Sequence, residues 1–139
     1  MKIHLTLWQK ILVVTAFFAL ASVGFMIKLP SGFRHIDKGL HATFYFLSAA
    51  LFNVLFAKTK IVRHVIIFTL LYMFGMIIEF GQAYSNRFFR TRIHGRFDPQ
   101  DLQANLNGLL AFSLLWLLWM IAKTLYKKTA PERSTIIQK

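Results

Sequence analysis

The sequence has no cysteine, which excludes disulfides, thiolate metal sites and cysteine nucleophiles. Acidic residues are scarce as well: five Asp and Glu stand against 17 Lys and Arg in 139 residues. The chain shows no internal repeat, soluble domain, low-complexity linker or assembled nucleophile motif. What it does have is apolar side chains, since 56% of its residues are hydrophobic. So apolar and yet so basic a chain must keep the two kinds of residue apart, and a bilayer performs that sorting.

Four stretches, roughly Leu7 to Ile27, Leu40 to Ala57, Val65 to Tyr84 and Leu102 to Ala122, approach the ~20 residues needed to cross a ~30 Å hydrocarbon core. Basic residues or interfacial aromatics such as Trp8, Tyr84, Trp119 and Tyr126 flank them, as membrane interfaces favour. The expected fold is all-α, a four-transmembrane-helix bundle over residues 1–128, with a flexible polar tail at 129–139. Ala19-Leu20-Ala21 has the look of a leader cleavage site. The uncharged run nevertheless continues from Ile11 through Ile27, which suits a retained span.

A net charge of +12 in a soluble protein would point to nucleic acid. Here the basic residues are dispersed among termini and loops, so membrane lipid is the expected partner and nucleic acid is not. Lys123, Lys127 and Lys128 read as a juxtamembrane anchor. With the N-terminus inside, the inner face holds ten Lys and Arg and the outer face seven, which favours both termini in the cytoplasm. Whichever way the chain points, an even number of spans puts the first and third connections on one face. The short middle connection, Lys58 to His64, makes spans two and three an antiparallel hairpin.

Four of the five carboxylates, Asp37, Glu79, Asp98 and Asp101, fall at that shared face, while Glu132 lies in the tail. Acidic groups are costly near hydrocarbon, so their gathering points to use. Asp37, His41 and Tyr45 are four residues apart and stack along one helix face, which Ser48 prolongs. Span three ends with Glu79 and Gln82, then Asn86; Glu79 lies more than a turn inside Tyr84, where a bare carboxylate costs about 2.5–3.5 kcal/mol. It should be paired, protonated or facing a polar cavity. Span four opens with Asp98-Pro99-Gln100-Asp101 and continues to Asn105 and Gly108. Just upstream, Arg87, Arg90, Arg92 and Arg96 alternate with Phe88, Phe89 and Phe97, a mixture suited to headgroup phosphates.

Structural roles compete with functional ones at several of these positions. Asp98 before Pro99 is a helix N-cap signal, Asp101 suits the helix dipole, and Asp37 can cap span two. Capping does not account for Glu79, Gln82, His41 or Asn105, for which the alternative is an interhelical network worth about 0.6 kcal/mol per bond. Gly24, Gly75 and Gly108 are expected to be small contact residues between helices. Asp37 and His41, with Glu79 and Asp101, carry donors for a hard or borderline metal. Such spacing is common by chance, and neither a metal nor a cofactor is assigned. His4, His64 and His94 fall at a terminus or in loops and indicate no site.

Taken together, Asp37-Lys38-x-x-His41-x-x-x-Tyr45, Glu79-x-x-Gln82 and Arg96-x-Asp98-x-x-Asp101-x-x-x-Asn105-x-x-Gly108 resemble the VanZ-like family of small bacterial membrane proteins, over about residues 30–120. Where that family tends to place a second glycine one turn after Gly108, this chain has Phe112. Among the four arginines, spacing to Asp101 favours Arg96 for the family's position. The resemblance implies the bacterial cytoplasmic membrane and an envelope role connected with susceptibility to the glycopeptide teicoplanin. The expected function is binding of an anionic or lipid-linked envelope molecule, or a glycopeptide, at an outer-face pocket. Its expected ligand-binding residues are Asp37, His41, Glu79, Gln82, Arg96, Asp101 and Asn105. An enzyme acting on an envelope lipid is the alternative, with Glu79 as general base and His41 and Asp101 as further catalytic candidates. A proton-coupled transporter ranks lower, because Glu79 lies near one face rather than at the midplane.

Overall fold

The computed structural model describes residues 5–26, 36–57, 59–85, 87–88 and 97–129. They form α1 (Leu7–Met26), α2 (Asp37–Phe52), α3 (Ile61–Ser85) and α4 (Pro99–Thr129), and α2 runs on into a π-helix at Asn53–Ala57. Among the described residues there is no strand. Four helices are long and apolar enough to cross a membrane when the π segment is counted with α2. The chain is a multi-pass membrane protein with the expected all-α, four-helix architecture.

Its side chains are distributed for lipid rather than water. Leu12 and Leu20 on α1, Ile66 and Leu70 on α3, and Leu114 and Leu118 on α4 are exposed, at no cost against acyl chains that are as apolar as they are. Inside lie His41, Ser48, Asn53, His64, Glu79 and Asn105. Water cannot satisfy polar groups in hydrocarbon, so each must be turned inward onto a partner.

The closest seam runs between α2 and α4. A Cβ on Gly108 would collide with the Ala42 carbonyl oxygen, so glycine permits that approach. Gly75 on α3 makes room in another way: Tyr45 Oη and Asn105 Nδ2 each lie 2.8 Å from where its Cβ would stand. Among the described residues nothing lies within 4 Å of a Cβ on Gly24, so of the three glycines expected at contacts Gly75 and Gly108 are the ones that meet described neighbours. Tyr45, Ala49, Phe52, Ile67, Leu71 and Leu109 form an apolar layer in the middle of the bundle. The first helix docks through phenylalanines, with Phe17 stacked on Phe44 at 5.2 Å and Phe18 edge-on to Phe74 at 4.7 Å.

Helices extend beyond the apolar spans because hydropathy stops where the interface begins. α2 starts at Asp37 and α3 at Ile61, which moves His64 out of the expected connection and into α3. α4 has 31 residues, about 46 Å of helix, and carries Lys123, Lys127 and Lys128 past its apolar part. Thr129, expected to begin the tail, is instead the last helical residue; residues 130–139 of the expected tail lie outside the described residues. At the other end of the bundle from Asp37, the π turn disturbs the helical ladder. There Asn53 Nδ2 donates to Ala49 O at 2.7 Å, and Lys10 Nζ and Arg63 Nη1 donate to the Leu55 and Phe56 carbonyls at 3.1 Å. Cations at a helix C-terminus also complement its dipole.

Candidate functional site

The site is assembled from the first turns of α2 and α4 and the last third of α3. Asp98 caps α4: its Oδ1 accepts the Gln100 N–H at 2.8 Å, and Pro99 takes the first helical position, where no donor is needed. Its other oxygen, Oδ2, accepts from Lys38 Nζ at 2.5 Å. The cap is therefore also part of the site.

Lys38 is the centre of the cluster. Its ammonium donates to Asp98 and Asp101 together and lies 4.0 Å from Asp37 Oδ2. Sequence reasoning placed Lys38 in a motif but gave it no role. The available signal was charge: three aspartates gathered at one helix end require a counter-cation, and Lys38 is the one beside them in α2. Asp37 is not the cap it was weighed as, since Ile36 holds the N-cap position and no side chain caps there.

Beneath this rim lies a drier layer. Asn105 Oδ1, a carbonyl oxygen, can only accept, so its 2.9 Å bond to His41 makes Nδ1 the donor and leaves the lone pair of a neutral ring on Nε2. That nitrogen faces Asp37 Oδ1 at 3.9 Å, too long for a hydrogen bond. Phe25 from α1 covers the ring at 4.8 Å. Glu79, 1% exposed, accepts the Asp98 backbone N–H at Oε2, 3.1 Å away. The costly carboxylate thus joins α3 to the start of α4. Gln82 Nε2 donates to Phe25 O at 2.5 Å, holding α1 against α3.

The structure therefore brings Asp37, His41, Asp101 and Asn105 together around Lys38 and Asp98, with Glu79 joined through the Asp98 backbone and Gln82 bonded toward α1. Arg96, like Asn86, Arg90 and Arg92, lies outside the described residues. Arg87 is exposed, with its guanidinium 5.6 Å from the centre of the Tyr84 ring. The side chains grade from 40% exposed at Asp98 and 36% at Lys38 to 12% at Asp101. Among the described residues the cluster is thus most exposed at the bundle end and buried in the layer below.

The Lys38 ammonium, hydrogen-bonded to Asp98, holds that carboxyl below the usual carboxylate range. A depressed folded-state value stabilises the fold in full above the unfolded value near 4, and the contribution is withdrawn as pH falls through the folded value. The melting-temperature loss caused by Asp98→Asn in detergent is expected to stay constant from about pH 7 to pH 5 and to shrink below about pH 4. A loss that already declines between pH 7 and 5 would contradict the ion pair.

A second polar cluster, not foreseen from sequence, occupies the opposite end. His64 donates from Nδ1 to Asn53 Oδ1 at 2.7 Å, meets Ser113 Oγ at 3.1 Å through Nε2, and stacks on Trp116 at 4.3 Å. Ser113 Oγ also lies 2.8 Å from Leu109 O. The apolar layer of Leu71, Leu109 and Ala49 lies between the two clusters. Comparison with family models, with curated proteins and with solved structures gave no match.

Proposed function

We propose that this chain is a VanZ-like protein of the bacterial cytoplasmic membrane, with both termini inside, that binds the headgroup of an anionic or lipid-linked envelope molecule at its outer face and thereby alters glycopeptide (teicoplanin) susceptibility. The observation that carries this reading is the mixed-charge cluster of Lys38, Asp37, Asp98 and Asp101 at the mouth of a lipid-facing bundle, with His41, Asn105 and Glu79 beneath it. Ionisable groups turned inward at an intramembrane site are expensive and mark function by default. The aspartate oxygens suit hydroxyl or ammonium groups of a headgroup, and the sequence before Phe97 is rich in arginine, a residue type that suits its phosphate.

Native mass spectrometry of lipids retained after gentle extraction tests this. One lipid class is expected to be selectively retained by the wild type and lost from Glu79→Ala and Arg96→Ala. Indistinguishable profiles in all three would sink the reading.

A second reading, an enzyme acting on such a lipid, is favoured by one observation: Glu79 is sealed from solvent yet lies at the turn that carries the exposed Asp98 carboxylate. A buried carboxylate there is placed to act as a general base, with His41 or Asp101 assisting. Turnover of envelope lipid pools that disappears in Glu79→Gln would establish it, and inert pools would count against it.

A further inference from the structure

We propose that Asp37, His41 and Asp101 form a binding site for one divalent cation of the hard-to-borderline class, Mn2+ or Zn2+, and that Lys38 is the built-in competitor for it. One donor atom from each residue lies within 4.8 Å of the others. Ligands around a single tetrahedral ion sit about 3.3–3.6 Å apart, so the three side chains close on an ion with shifts of about 1 Å. Two carboxylate oxygens and one imidazole nitrogen exclude a soft cation and fit Mn2+ or Zn2+. Three protein ligands leave a coordination position open.

The histidine supplies evidence independent of the acidic cluster. His41 is 7% exposed, its Nδ1–H is fixed on Asn105 Oδ1, and among the described residues its Nε2 makes no hydrogen bond, only the 3.9 Å approach to Asp37. A ring with Nδ1 bonded to a carbonyl oxygen and Nε2 facing a carboxylate is oriented as metal-binding histidines are. Asn105 is a positioning residue in this scheme. Lys38 shows that the place attracts positive charge, because its ammonium already bridges Asp98 and Asp101. An ion must displace it from Asp101, after which Lys38 can remain on Asp98.

The ion site stands on donor geometry alone; only its link to a headgroup rests on the lipid-binding reading. Among the described residues the rim of the cluster holds three carboxylates, Asp37, Asp98 and Asp101, against one ammonium, so this part of the site offers a headgroup phosphate little positive charge. A divalent ion with an open position reverses the local sign and offers phosphate a ligand position.

Calorimetric titration of the metal-stripped, tag-free full chain in detergent with Mn2+, Zn2+ and, for comparison, Mg2+ tests the proposal. One ion per chain is expected. His41→Gln and Asp101→Asn should each weaken binding by on the order of ten-fold or more, and Lys38→Gln should tighten it by on the order of ten-fold. A gain of affinity cannot come from misfolding, so the lysine variant protects the test against variants that simply fail to fold. Absence of binding in both wild type and Lys38→Gln would overturn the proposal, as would affinities unchanged in His41→Gln and Asp101→Asn. Because the titration contains no envelope lipid, ion binding without selective lipid retention would refute the headgroup reading and leave the ion site standing.

Discussion

Gly108→Ala is expected to destabilise the bundle by about 1–3 kcal/mol, and Gly108→Leu to prevent its assembly. The added Cβ meets the Ala42 carbonyl oxygen and its carbon, both backbone atoms. No rotamer change relieves such a clash, so α2 and α4 must separate. Lipid supplies no hydrophobic drive to hold them together, and association depends on close packing and interhelical hydrogen bonds. The damage also reaches the site: Asn105 lies one turn before Gly108 and His41 is next to Ala42, so separation lengthens the 2.9 Å bond between their side chains. Thermal unfolding in detergent measures the effect, with Gly24→Ala as the control. That position is open, and alanine there should be neutral or slightly stabilising through helix propensity. Equal melting temperatures for the two alanine variants would mean that the α2–α4 crossing is not tight.

At the site end of this seam the backbones of α2 and α4 approach closely, at Ala42 and Gly108. One turn further along α4, Phe112 meets Phe46 edge-on at 5.7 Å, a ring spacer where a second small residue would have continued the tight contact. The two helices therefore touch backbone to backbone beside the polar cluster and are held by rings deeper in the bundle.

The four spans were legible because length and apolarity are local properties, and the parity of spans was enough to place Asp37, Glu79, Asp98 and Asp101 at one end. Helical spacing also brought His41 and Asn105 to that end. Pairings were not legible. Lys38 meets carboxylates 60 and 63 positions away, and Glu79 is satisfied by a backbone N–H, a partner that every residue but proline offers. His64 was missed for a different reason. The polar residues Lys58, Lys60 and Arg63 made the start of α3 look like loop, although a helix keeps its hydrogen bonds across the interface and places His64 against Asn53, its neighbour across the turn. Asp98 showed its cap in the Asp-Pro signal, and its second oxygen carries the contact to Lys38 that the signal could not show.

Lys38→Gln tests the electrostatic centre of the molecule. Removing the ammonium leaves Asp37, Asp98 and Asp101 facing one another without a counter-cation among the described residues, and the loss of one partner of a charged pair costs about 1–3 kcal/mol. Lys38 and Asp98 are more than a third exposed, so solvent screening places the expected loss in the lower half of that range. Adding Asp101→Asn should restore part of the stability, because the second substitution removes the repulsion that the first exposed. A double-mutant cycle should return a coupling of about 0.5–3 kcal/mol between the two positions, larger at low salt than at high salt. Additive effects would show that Lys38 does not hold Asp101. The single variant is expected to respond to Mn2+ or Zn2+ with a larger rise in melting temperature than the wild type, since stabilisation by a ligand grows with its affinity for the folded state. A smaller rise than in the wild type would mean that the ammonium aids the ion rather than competing with it, and would reverse the role given to Lys38.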